Sequence, residues 1–528
     1  MPSHKIMPMP PVNQHSFAQV PSAQIPRSAF DRSFGYKTTF DAGWLIPFFV
    51  DEALPGDTFH LKTAGFARLA TPLKPIMDNI FLETFFFFVP TRIVWDNWEK
   101  FNGAQDNPTD STDFTVPILS DGYTVAADSI YDYMGIPVGL QTTTHAINQL
   151  PLRAYNLIFN EWFRDQNLQF SQTVPTGDGP NGAATFFLKR RGKRHDYFTS
   201  SLPWPQKGDS VSIPLGTTAP IQTGSAEGSP VSVYSTAEAE QRLLDPDTVA
   251  GRVEVSATLD ASGTADLVAD LSSASAATIN QLRQAFQVQK LLERDARGGT
   301  RYIEVIKSHF GVTSPDARLQ RPEYLGGGST PVVINPVANT SGNTGGSEND
   351  NQGDLAGIGT ASFRSHGFSK SFTEHGYVIG LVSARADLTY QQGLERFWSR
   401  QTRYDFYWPA LSHIGEQAVL SKEIYVDNSM SDEDVWGYQE RYAEYRYKPS
   451  YVTSRFRSSH PNSLDIWHLA QDFSVRPTLS AGFIEEIPPI DRTIAVPTEP
   501  HFIFDSYTRY RTARPMPLYG VPGFIDRF

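Results

Sequence analysis

Five cations in six positions form the densest reactive feature of this chain: Lys189, Arg190, Arg191, Lys193 and Arg194, in KRRGKRHD (Lys189 to Asp196). Charge at that density draws in a polyanion and makes its binding salt-sensitive, which points to phosphate contact. A solvated loop or a salt-bridged interface would use the same residues. A second basic set, Arg509, Arg511 and Arg514, lies in the extended stretch SYTRYRTARPMPLYGVPGFIDRF and is the best candidate for contact with a polyanion. Arg and aromatic residues interleave in RFWSRQTRYDFYWPA (Arg396 to Ala410) and GYQERYAEYRYKPSYVTSRFRS (Gly437 to Ser458). Rings so placed can stack on bases, and the same residue types are enriched where proteins bind one another. We read Trp398, Tyr404, Tyr407, Trp408, Tyr438, Tyr442, Tyr445 and Tyr447 as candidate inter-subunit contacts.

Catalytic signatures are missing. No GxSxG, HExxH, Walker-type glycine loop or Rossmann fingerprint occurs. The 12 His are scattered, and the nearest pairs, His366/His375 and His460/His468, lack flanking carboxylates at metal-ligand spacing. Asp106, Asp110 and Asp113, and the run ENDNQGD (Glu348 to Asp354), leave room for a structural divalent cation. They have no EF-hand spacing, and a solvated acidic loop accounts for them. The sequence therefore predicts neither an enzyme nor a cofactor.

The elements that hold these residues read as mainly β. FDAGWLIPFFVDEALPGDTFHL (Phe40 to Leu61) is strand, turn, strand, with Leu54-Pro55-Gly56-Asp57 carrying the Pro and Gly of a tight turn. Phe59, Leu61 and Thr63 then alternate with His60 and Lys62, the period of a half-buried strand. Phe85 to Val89 does not alternate, so both its faces should be covered. Tyr377 to Leu388 and Val419 to Val426 also read as strands. A helix is expected at Leu150 to Leu168, with Leu152, Tyr155, Phe159 and Trp162 inward and Arg153, Glu161, Arg164 and Asp165 outward. Further helices are expected after Thr278, ending at Gly298-Gly299, and before Gly311. Gly326 to Gly359 is polar and glycine-rich and reads as a loop excursion.

With 528 residues, 40% of them apolar, the chain can bury a large core, and 39 Gly with 38 Pro favour turns and long loops over helical bundles. No run approaches the length of a membrane span, and the start, MPSHKIMPMPPVNQ, has no apolar signal-peptide core. The absence of Cys suits a reducing compartment. Residues 1–30 are proline-rich and read as an extended arm. From Asp209 to Ala277 the composition changes: ten acids face two bases, supplying −8 of the net −12, and one aromatic, Tyr234, is present out of 66. A stretch so poor in large side chains cannot share the main core, and its acidity keeps it from nucleic acid. We read 209–277 as an exposed surface insertion, with Tyr234, Arg242, Arg252 and Asp260 on it. Residues 31–208 and 278–528 would then form the two parts of one core.

Several of these blocks, in order, resemble the major capsid protein of the microviruses, small single-stranded DNA phages, and most of all its gokushovirus branch. They are FDAGWLIPFFVDEALPGDTFHL, PLRAYNLIFNEWFRDQNL, KRHDYFTSSLPWPQKGD, QLRQAFQVQKLLERDARGGTRYIEVIKSHFGVTSPDARLQRPEYLGG, GYQERYAEYRYKPS and PMPLYGVPGFIDRF. The resemblance implies a single eight-stranded jelly roll whose long loop insertions carry several helices. It also implies self-assembly into a T=1 icosahedral shell around circular single-stranded DNA, in a virion built in the host bacterial cytoplasm. A small basic DNA-binding virion protein and a minor capsid protein are its implied partners, with no membrane insertion. In such capsids a long insertion forms a protrusion at the three-fold axes that serves host attachment. Residues 209–277 are the candidate, and the receptor is unknown. Composition alone leaves a second reading, a β-sandwich carbohydrate-binding or glycoside-processing protein, since jelly rolls serve both.

Overall fold

The computed structural model describes residues 26–119, 121–209, 211, 221–223, 231–235, 240–247, 252–256, 267–269, 279–299, 302–311, 320–340 and 353–519. Ten strands build two antiparallel layers. They are β1 (Ser28–Asp31), β2 (Phe34–Phe40), β3 (Ile46–Ala53), β4 (Thr58–Leu69), β5 (Ile80–Pro90), β6 (Glu323–Pro331), β7 (Val333–Ala338), β8 (Leu355–Ser371), β9 (Gly376–Ala386) and β10 (Phe502–Arg514). The first layer runs β1-β10-β4-β8-β7, with β2 beside the other end of β10, and the second runs β6-β5-β9-β3. β1 and β2 lie end to end along one edge of β10, so they act as a single interrupted strand. With β7 as an added edge, the order is that of a jelly roll.

The expected turn is present: Gly56 sits at φ +89°, and the Asp57 amide donates to the Leu54 carbonyl at 3.0 Å. Along β4, Phe59, Leu61 and Thr63 are buried while His60 and Lys62 are exposed, as the alternation predicts. Residues 28–30, at the end of the proline-rich segment, pair with β10 in β1.

The interior between the layers is largely aromatic. Phe48 of β3 meets Phe86 of β5 at 5.5 Å and Phe504 of β10 at 6.1 Å between ring centres. Phe59 of β4 meets Tyr510 at 5.1 Å and Phe372 at 4.9 Å, and Phe372 meets Phe88 at 4.6 Å. Edge-on pairs of this kind add about 0.5–1.5 kcal/mol each beyond the area they bury. Phe86 and Phe88 thus belong to the sandwich core. Phe87 and Val89 belong to a second core outside it, closed by the helix Leu150–Ile158 with Leu152, Tyr155 and Ile158 buried. Both faces of β5 are covered, as its unbroken apolar run requires.

Two connections carry nearly everything else: residues 91–322 between β5 and β6, and residues 387–501 between β9 and β10. The first holds the helices Leu150–Ile158, Ile279–Arg297 and Tyr302–Phe310. Gly299 at φ +95° and Gly311 at φ +69° follow the last two, where left-handed backbone ends a helix. Thr278, after which the first of these two helices was expected, lies outside the described residues. Within 209–277, residues 221–223 pair with 267–269, and 231–235, 240–247 and 252–256 form a three-stranded sheet. Neither small sheet shares a strand with the two main layers. A third core joins Tyr197 and Phe198 to Val419, Ile424, Trp436, Phe483 and Ile484.

Three expectations are corrected. Of Gly326 to Gly359, read as a loop excursion, Gly326 to Pro331 lie in β6, Val333–Ala338 form β7 and Leu355 to Gly359 begin β8. A Cβ on Gly327 would lie 2.0 Å from the Thr84 carbonyl oxygen, and one on Gly328 would meet the His366 ring at 2.4 Å. These glycines are there for close approach, not for turning. Arg153 points inward: it is fully buried and donates to the Val94 carbonyl at 3.1 Å and the Asn181 side chain at 2.8 Å. Polar partners on neighbouring loops offset the charge that periodicity alone assigned to solvent, and a π-helical turn at Phe159–Phe163 leaves Trp162 partly exposed. The strand expected at Val419 to Val426 is instead Glu416–Leu420, paired with Val435–Glu440, after which the chain turns through Ser421–Glu423.

Truncating Phe86 removes a ring that touches Phe48, Phe49 and Phe368. Phe86→Ala should cost about 3–5 kcal/mol of folding stability, read as a lower midpoint in chemical denaturation of the full-length chain. A cost below about 1 kcal/mol would show that the aromatic interior is not what joins the layers.

Candidate nucleic-acid interface

Among the described residues, one outer face of the sandwich is left open. On the first layer, β4 presents His60, Lys62, Phe66 and Arg68, and β10 presents Ile503, Asp505, Tyr507, Arg509 and Arg511, all exposed. Register sets them side by side: Arg509 opposite Lys62, Arg511 opposite His60, Asp505 opposite Phe66, and Ile503 opposite Arg68. Lys37 of β2 and Arg364 of β8 are exposed on the same layer. Residues two apart on a strand share a face, so the SYTRYRTAR pattern delivers Tyr507, Arg509 and Arg511 to one side. Six cations, Lys37, Lys62, Arg68, Arg364, Arg509 and Arg511, thus face two acids. Asp505 is partly neutralised by Lys37 at 3.3 Å. Asp31 lies beside Arg511, its carboxyl held below the usual range by hydrogen bonds from the Ser33 hydroxyl and amide. Phe66 and Tyr507, 47% and 52% exposed, place two rings among the cations. A cationic surface with open aromatic faces is the general design for binding a single strand without reading its sequence.

The sequence picked out part of this surface. Arg509 and Arg511 lie on it, whereas Arg514 clamps the β3–β4 turn: its Nε is 3.2 Å from Asp57, and it donates to the Glu52 carbonyl at 2.6 Å. Lys37, Lys62, Phe66, Arg68 and Arg364 were missed, because each is isolated in sequence, and Tyr507 lies within the basic stretch but was not singled out. Alternation along β4 held the signal for Lys62, Phe66 and Arg68, but only strand pairing brings them to β10.

The 189–194 cluster is drawn largely into the protomer. Arg191 is buried and pairs with Glu83, which Arg385 also approaches at 3.2 Å. Lys193 is buried against the Phe483 ring. Arg194 pairs with Asp387 at 3.1 Å, and Arg190 stacks over Trp44 at 4.1 Å. Lys189 is buried and donates to Gln172 Oε1 at 2.7 Å. The charge that reads as a polyanion site in sequence is mostly spent on internal contacts.

Five of the eight selected aromatics, Trp398, Tyr404, Tyr407, Trp408 and Tyr445, lie exposed, with Phe406 and Tyr451 among them. Arg400 lies over Tyr445 at 4.1 Å and Arg403 over Trp408 at 4.5 Å, which holds the rings in place. Exposed apolar area of this kind marks a surface that another molecule covers. The other three are held internally. Tyr442 is buried at φ +64° and donates to the Phe406 carbonyl, Tyr447 stacks on Tyr197 at 5.6 Å, and the Tyr438 backbone pairs with Leu202. Of the four insertion residues, Tyr234, Arg242 and Arg252 lie in its strands, and Asp260 lies outside the described residues.

Among the described residues no group of three or more His, Cys, Asp or Glu is placed to hold a metal ion, and no helix is long and apolar enough to cross a membrane. The Asp110 carboxylate instead accepts the amides of Asp106 and Asn107.

A jelly roll is a fold that viral capsid and lectin domains share. The chain belongs to the phage family described as "Capsid protein (F protein)", which matches residues 18–524. It is similar to Capsid protein VP1 of Bdellovibrio phage phiMH2K, at 52% identity over 98% of this chain and 99% of that protein. Capsid protein VP1 of Chlamydia phage 1 is 44% identical over 98% of each chain, and that of Spiroplasma virus 4 is 35% identical over 96% of this chain and 97% of its own. The chain is accordingly a structural capsid protein and not an enzyme, which sets the carbohydrate reading aside.

Burial without a carboxylate pushes the Lys189 ammonium down to about 7. Below pH 7 it is charged in both folded and unfolded chains, and its burial costs stability in full. From pH 7 to the ordinary lysine value near 10.5 the folded chain sheds the proton first, so stability rises with pH. Lys189→Met should therefore raise the melting temperature most at pH 6 and progressively less toward pH 9. A constant difference across that range would refute the assignment.

Proposed function

We propose that this chain self-assembles into a T=1 icosahedral shell enclosing circular single-stranded DNA, with the open face of the first layer turned toward the genome. One observation carries the orientation: the two outer faces of the sandwich differ. The second layer lies beneath the 91–322 connection, while the first, among the described residues, is bare, cationic and ring-bearing. Genome contact would fall to Arg509 and Arg511, with Lys62, Arg68, Lys37 and Arg364 beside them. The exposed rings at 398–408 and at Tyr445 would meet neighbouring copies, where closed symmetry multiplies contacts that are individually modest. Residues 209–277, whose strands stay apart from both layers, would form the exposed protrusion used for host attachment. The near balance of charge in the rest of the chain, 43 bases and 47 acids, leaves bulk genome neutralisation to a separate small basic virion protein. A minor capsid protein and assembly in the host bacterial cytoplasm complete the reading.

Replacing Lys62, Arg68, Arg509 and Arg511 by Gln should weaken binding to an oligothymidylate. Its salt dependence should flatten by about 0.7 in log–log slope for each phosphate no longer neutralised. In infected cells, Arg509→Glu with Arg511→Glu should reduce packaged DNA more than it reduces shells. Arg514→Glu should instead reduce soluble protein, since it places a carboxylate against Asp57. Unchanged binding and packaging in the face variants would overturn the orientation.

Replacing 209–277 with a short Gly/Ser linker should leave a folded, shell-forming chain that no longer adsorbs to host cells. Loss of soluble protein would show that the segment is part of the core.

A further inference from the structure

A cavity of about 560 Å³ opens on the outer side of the second layer, on the opposite side of the sandwich from the proposed genome face. Its floor is cationic. Arg385 of β9 and Arg191 share the single carboxylate of Glu83, and Arg194 takes Asp387. Lys193, 8% exposed, has its ammonium 4.4 Å from the centre of the Phe483 ring. Glu486, which attracts the Lys193 ammonium, has one oxygen on the Ala386 amide and is itself pushed toward its neutral form by burial. The Nε atoms of Arg194 and Arg385 are buried without an acceptor. Buried donors without acceptors are costly, and both of these belong to residues that line the cavity. Asp165 also lines the cavity, but its carboxylate is turned to the amides of Asn167 and Leu168.

The mouth is aromatic. Trp162 and Tyr324, 41% and 43% exposed, lie 5.9 Å apart between ring centres, and each is 5.5 Å from Phe87, which backs both. The Trp162 indole N–H is taken by the Pro322 carbonyl at 2.9 Å, which fixes the ring at the mouth. The volume falls within the range of small-ligand sites.

We infer that this cavity binds a nucleotide, with its phosphate seated among Lys193, Arg194 and Arg385 and its base against Trp162 and Tyr324. The two halves of the site match the two halves of that ligand: donors lacking acceptors at the floor, flat rings at the mouth. The inference does not depend on which sandwich face meets the genome. The phosphate can come from a free nucleotide or from a strand, and the chemistry of recognition is the same.

Binding of deoxyadenosine monophosphate to the full-length chain, measured by equilibrium dialysis, tests it. One saturable site per chain is expected, with deoxyadenosine at least tenfold weaker. Lys193→Met, which keeps the packing against Phe483, should lose at least tenfold in affinity with no fall in melting temperature, and Lys193→Arg should restore most of it. Should Lys193→Met fail to fold, Arg194→Gln, at a half-exposed position, serves the same purpose. Trp162→Ala should reduce affinity for the nucleotide but leave weak binding of inorganic phosphate. Displacement of the nucleotide by oligothymidylate would support the site with a strand as the phosphate source, and failure of displacement would support it with a free nucleotide. The absence of saturable binding, equal affinity for the nucleoside, or equal affinity in both cation variants would overturn it. Displacement by an acidic peptide but not by inorganic phosphate would also overturn it, assigning the cavity to a protein partner.

Discussion

Everything in this molecule hangs on a strand that must be dry on both sides. β5 gives alternate rings to two different cores, with Phe86 and Phe88 turned to the sandwich and Phe85 and Phe87 to the insertion that covers it. A strand with one wet face would hold the two layers together and leave residues 91–322 without an anchor. Because both faces are apolar, the long connection has to fold back over the second layer, and the first layer is the one left open. The asymmetry that suggests an inside and an outside for a shell follows from that burial.

Charge follows the same logic at smaller scale. Cations that fall near the covered layer, such as Arg191 and Arg385 around Glu83, are drawn into internal contacts, because a buried guanidinium needs polar partners. Cations on the open layer meet few acids and stay free to act on a polyanion. Net charge, −12 for the whole chain, is silent on this difference. The acidic 209–277 segment dominates the sum while its strands remain separate from both layers.

The loops of the 387–501 connection show the corresponding division for aromatic residues. Rings that close the third core, such as Tyr447 on Tyr197, serve folding, while Trp398, Tyr404 and Trp408 project outward with arginines holding some of them in place. Exposed rings of this kind mark a surface that another molecule covers, which fits a member of a capsid-protein family.

The sequence by itself determined the local grammar: the Pro-Gly turn before β4, the alternation of Phe59, Leu61 and Thr63, the double-sided run at Phe85 to Val89, and the compositional break at Asp209. Each rests on periodicity or backbone preference, and those act between residues a few positions apart. Only the tertiary structure decided which cations are free. Arg514 and Arg509 are five residues apart and look alike, yet one is bound to Asp57 and the other faces outward beside Lys62. It also decided that Gly326 to Gly328 are strand and that Arg153 is interior. These outcomes depend on partners hundreds of positions away or on the backs of neighbouring loops. Pairing across such distances is set by the packing of whole layers, which no window of the chain contains.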